Sequence, residues 1–109
     1  MSVTKEQVRP YISEPMEDEQ IDAIIAKHID PHPHGFGPAR ARLHGPGVSV
    51  AALIANLEAL NGDVQKTAAD FNATVEEVLA AIYFYWKNQT VIDAEITVRR
   101  SGFQSNSAA

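Results

Sequence analysis

The chain has 109 residues, a formal net charge of −5 and no cysteine. That length suits one domain with a modest core. The lack of cysteine excludes disulfides, thiol catalysis and cysteine-ligated zinc or iron–sulfur sites. The acidic balance gives no bulk attraction to nucleic acid, so any such contact has to come from a local basic patch. No apolar run approaches the roughly 18 residues of a spanning helix. The opening "MSVTKEQVRP" lacks the apolar stretch of a signal peptide, so a cytoplasmic protein with no membrane association is expected.

In chain order, "TKEQVRPYI" suggests a short turn of helix ending near Pro10, because Thr4 and Gln7 have capping-box spacing. Residues 14 to 29 read as a helix, with Ser13 or Glu14 as cap and Pro15 in the first turn. Ile21, Ile24, Ile25 and Ile29 make its apolar stripe. Residues 31 to 47 hold eight of the twelve Gly and Pro residues, which no regular helix survives. Within them "ARARLHG" alternates and can supply one short strand, with "VSV" starting its return.

Three helical patterns follow. The first has Ser49 as N-cap, Leu53, Ile54, Leu57 and Leu60 on one face, and Asn61-Gly62 as C-cap. The second starts at Asp63 and points Val64, Ala68 and Phe71 one way. Thr74 and Glu77 form a capping box for the third, whose apolar positions are Val75, Val78, Leu79, Ile82 and Trp86. The expected fold is therefore mainly α. It has a tri-helical, homeodomain-like helix-turn-helix core, an N-terminal helical arm and a short β-hairpin. The arm covers residues 1–30, the helix-turn-helix domain 31–96 with the Gly/Pro-rich hairpin at its start, and a flexible tail 97–109.

A tri-helical unit is a common DNA-reading scaffold, but the pattern alone is more often a packed core with no such role. Placed as a reading helix, the third pattern would turn Thr74, Glu76 and Glu77 toward the groove. From Asp63 to Gln89 there are four acids (Asp63, Asp70, Glu76, Glu77) against two bases (Lys66, Lys87), so phosphate contact falls to Arg40 and Arg42, to Arg99 and Arg100, or to a partner. The run Tyr83-Phe84-Tyr85-Trp86 covers every side of a helix at 100° per residue. Part of it has to be covered by the N-terminal arm or by another subunit, and a homodimer contact is expected there. Base stacking is a minor alternative.

His28, His32 and His34, with Asp30 among them, offer ligand types suited to zinc. Their spacing matches no compact ligand pattern, and His32 and His34 would lie about 7 Å apart along an extended path. They stand as weak metal candidates beside the ordinary reading of solvated loop histidines. No nucleophile elbow, P-loop or dinucleotide fingerprint is present, so neither an enzyme nor a cofactor is expected.

The order and spacing of several short motifs resemble the prokaryotic domain-of-unknown-function family 433. They are Ile29-Asp30-Pro31, Gly37-Pro38, the turn Gly45 to Val50, the late "AAIYFYW", and the ending Ile92, Asp93, Glu95 and Ile96. The resemblance spans Ile29 to Ile96. It implies a small homeodomain-like or winged-helix-like fold, often dimeric, in proteins suggested to be antitoxins encoded beside nuclease toxins. The family's turn threonine and arginine fall here on Pro46 and Gly47, so Arg40 or Arg42 would have to replace that arginine. These readings converge on a non-enzymatic, dimeric, DNA-associated regulator of antitoxin type, with duplex DNA and a toxin protein as candidate partners. The alternatives are an interaction module without DNA binding, in which an acidic third helix meets a basic partner, and a metal-binding histidine loop.

Overall fold

A computed structural model of the chain describes residues 3–12, 17–31 and 37–108. It is mainly helical, with one two-stranded antiparallel sheet. Among the described residues no helix is long and apolar enough to cross a membrane.

The first helix, α1 (Lys5–Val8), is a single turn held by the reciprocal Thr4–Gln7 capping box. A 3-10 turn over Arg9–Tyr11 ends it, with Pro10 in its first positions. Helix α2 (Asp18–His28) follows Glu17, whose amide donates to the Gln20 side chain at 3.0 Å while its carbonyl accepts from the Gln20 amide. The helix expected from residue 14 thus starts at Asp18 among the described residues, and Ser13, Glu14 and Pro15 lie outside them. It also stops one residue short of the predicted stripe. Ile29 turns extended and, with Asp30, forms β1 (Ile29–Asp30).

β1 pairs antiparallel with β2 (Arg42–Leu43), Ile29 opposite Leu43 and Asp30 opposite Arg42. The expected return strand is reduced to a bridge between Arg42 and Ser49, with the Leu43 amide donating to the Val48 carbonyl at 2.8 Å. Between them a 3-10 turn over Pro38–Arg40 carries the chain into β2.

Helix α3 (Val50–Ala59) is capped by the Ser49 side chain, which accepts from the Ala52 amide. Its end is closed by Asn61 and Gly62, both at positive φ, and the Gly62 amide donates back to Leu57 O at 2.9 Å. Helix α4 (Val64–Asp70) starts at Asp63 as expected. Helix α5 (Val75–Lys87) starts at the Thr74–Glu77 capping box. Asn88 then breaks the path, its amide donating to the Phe84 and Tyr85 carbonyls, and α6 (Gln89–Ala108) begins. Residues 97–108, expected as a tail, continue α6.

The core is built around α5. Leu53, Ile54 and Leu57 of α3, Val64 of α4, Leu43 of β2, Ile92 of α6 and Val8 of α1 are all fully buried, together with Val78, Ile82 and Tyr85 of α5. Helix α6 packs against α3 and against the Pro38–Arg40 turn, and α2 packs along α5.

Candidate functional site

The sequence places any groove-reading surface on α5 and its preceding turn, so the environment of that helix decides what it can do. No residue from Val78 to Trp86 is exposed. Each side of the aromatic run is covered by a different part of the same chain. Tyr85 is fully buried and its hydroxyl donates to Asp93 Oδ1 of α6 at 2.7 Å. The Trp86 indole N–H donates to the Val3 carbonyl at 3.0 Å, which ties the N-terminal segment down. Tyr83 meets Trp86 edge-on, with centroids 6.0 Å apart, and lies on the face of α5 shared by Glu76 and Lys87. Tyr83 and Phe84 are 3% and 5% exposed within one chain. The cover asked of an arm or a partner therefore comes from within the chain.

The N-terminal turn of α5 is also engaged. Glu76 Oε2 takes His28 Nε2 at 2.5 Å and Lys27 Nζ at 3.3 Å, both from the end of α2. At the opposite end of α5, Lys87 Nζ meets Asp22 Oδ1 at 2.7 Å. The two contacts make α2 antiparallel to α5. Glu77 is occupied by its capping box, and a Cβ at Gly45 would come within 2.7 Å of its Oε2. The β2–α3 turn therefore sits against the start of α5. Of the residues expected near a groove, Thr74, Glu76 and Glu77 are thus bound to α2 or to their own helix start.

Arg40 and Arg42 are placed differently. Along residues 40 to 44, exposed Arg40, Arg42 and His44 alternate with buried Ala41 and Leu43, a period of two of which only Arg42 and Leu43 lie in the strand, Arg40 closing the 3-10 turn before it. Among the described residues neither arginine makes an ion pair. The Arg99 guanidinium instead binds Glu95 at 2.9 Å, and that of Arg100 lies 3.8 Å from Glu58.

Burial pushes the Glu58 carboxyl up from its usual range. Burial, aided by the Asp93 acceptor, also drives the Tyr85 hydroxyl well above the usual tyrosine range. At neutral pH Tyr85 is therefore a donor fastening α6 to α5, unsuited to act as a nucleophile. Of the weak metal candidates, His28 is held by Glu76, while His32 and His34 lie outside the described residues. Among the described residues no group of three or more acidic or histidine side chains is placed to hold a metal ion.

Glu76 has a carboxyl held below its ordinary range, first by the His28 hydrogen bond and then by Lys27. A depressed folded-state pKa gives a contribution present above the unfolded value and lost as pH falls through the folded one. Melting temperatures of the native chain and of Glu76→Gln should therefore differ modestly at pH 7 and converge toward pH 3. A gap that stays constant over this range would show that Glu76 contributes no charge interaction.

The α2–α5 contacts join residues 48 to 65 positions apart, and no local spacing announces them. The Tyr85–Asp93 bond is nearer in sequence, but Asn88 breaks the helical register between the two. Comparison with known protein families, with curated proteins and with solved structures finds no match to this chain.

Proposed function

We propose that the chain is a non-enzymatic protein–protein interaction module, and that α5 serves as the central helix of its core rather than as a reader of the major groove. The observation that carries this is the enclosure of α5 beyond its exposed first turn, where no residue from Val78 to Trp86 is exposed. A groove-reading helix has to present a free face to base edges. Its first turn supports the same reading, since the carboxylate of Glu76 is already paired with α2. The partner chemistry that fits is basic. Glu17, Asp18, Glu19 and Asp22 are all exposed on a chain of net charge −5. The resemblance to family 433, with its suggested antitoxins, agrees with a basic protein such as a toxin. A homodimer also belongs to this reading, and among the described residues the large apolar side chains open to it are Val75 of α5 and Val91 and Val98 of α6, 37%, 39% and 64% exposed.

A second reading has its own observation. Arg40, Arg42 and His44 are all exposed, Arg42 on β2, Arg40 in the 3-10 turn before it and His44 in the turn after it, a local run of cations that a phosphate backbone could meet. Titration with duplex DNA across a salt series separates the two. The module reading expects no binding even at low salt. Binding that weakens steeply with salt would overturn it, and Arg40→Ala with Arg42→Ala should then flatten the log–log slope by about two.

A further inference from the structure

Helix α2 differs from every other long helix of the chain in how it is held. None of its residues is fully buried. Ile24 and Ile25 rest half-buried against the core and Ile21 is half-exposed, while most of its other positions face solvent. Its polar fastenings to α5 are the Glu76 contacts at one end and the Asp22–Lys87 pair at the other. The side chains of Lys27, Glu76, Lys87 and Asp22 are all more than two-fifths exposed, and of these partners only His28, at 15%, is mostly covered; exposed pairs of this kind hold weakly. Against this, α3 buries five residues and α5 seven.

We infer that α2 is a displaceable strap, latched at Glu76, which opens from α5 as a unit while α3, α4 and α5 remain folded. Local opening free energies follow buried apolar contact, so the long helix with none fully buried opens before the others. Glu76 and Lys87 lie eleven residues apart, about 20° from one another around α5. Ala80 and Tyr83 occupy the same face between them and are buried in the closed state. Opening therefore bares a stripe of α5 with a carboxylate at one end, an ammonium at the other and an aromatic ring between. An amphipathic helix patterned like α2, acidic early and basic late, is the shape and charge complement of that stripe. The strap is a property of the free chain and stands apart from the choice between protein and DNA partners.

Native-state amide hydrogen exchange on the full chain tests it. The α2 amides Ile25 to His28 should exchange at least about tenfold faster than those of Leu57 and Ile82. Glu76→Gln should speed the α2 amides by about two- to fivefold and leave Leu57 and Ile82 unchanged. In the native chain, raising the salt concentration should act in the same direction on α2 alone. Exchange of α2 together with Leu57 and Ile82 would overturn the strap. So would α2 rates indifferent to both the substitution and the salt.

Discussion

Replacing Ile82 with alanine is expected to cost about 2–5 kcal/mol and to move the denaturant midpoint far down. Ile82 is fully buried in the middle of α5, the helix against which α2, α3, α4 and α6 all pack. Deleting its side chain leaves a cavity that several elements would have to collapse into at once. A loss of this size on a domain of this length takes up much of the total stability. The check is urea unfolding followed by Trp86 fluorescence, where the midpoint should fall with little change of slope. The same experiment on Glu76→Ala should show a far smaller effect, because that side chain is half-exposed. A cost at Ile82 below about 1 kcal/mol would mean that α5 is not the packed centre, and the interaction-module reading would lose its support.

Gly62→Ala should be strongly damaging, at about 2–3 kcal/mol, because Gly62 is buried beneath α1. Gly62 has φ +83, and an added Cβ would lie 2.7 Å from Gln7 Cβ and 3.3 Å from the Gln7 carbonyl oxygen. Two effects combine there, left-handed backbone strain and a collision with α1. Gly47 separates them. It has φ +71, and a methyl added there would meet nothing within 4 Å, so Gly47→Ala should carry the strain alone, about 1–2 kcal/mol. In thermal melts each kcal/mol amounts to roughly 4–8 °C for a domain of this size. Equal shifts for the two variants would mean that α1 yields without cost and is not docked on the Asn61–Gly62 turn.

Where an element is set by its own few residues, the sequence already shows it. The caps at Thr4, Ser49, Asp63 and Thr74 and the Asn61-Gly62 stop each sit where the spacing predicts. These are contacts between residues three to five apart, which a linear reading can see. The β1 strand is hidden because Ile29 fits the helical stripe as well as it fits the sheet. What decides it is a partner, Leu43, fourteen residues away. Helix α6 is hidden behind Asn88, although Ile92 and Ile96 have helical spacing and both are buried. Val75 shows the converse, fitting the apolar stripe of α5 yet 37% exposed.

The candidate site divides along the same line. The alternation that exposes Arg40 and Arg42 is legible, since a strand has a period of two. The fate of Glu76 is not, because its partners Lys27 and His28 reach it only through the packing of α2 on α5. Four consecutive aromatics do signal that every side of α5 needs cover. They carry no information about whether that cover comes from another subunit or, as here, from Val3, α2 and α6.

The bond from Trp86 to the carbonyl of Val3 spans 83 residues, and this has a consequence for synthesis. A chain is made from its N-terminus, and folding waits on contacts of long sequence separation. The helices α3, α4 and α5 lie within forty consecutive residues and can assemble soon after Lys87 emerges. Val3, by contrast, has no Trp86 to dock on until α5 has been made. Val3 therefore waits for a partner made 83 positions later. Truncations that end before α5 should leave Val3 and Val8 exposed to chaperones and proteases.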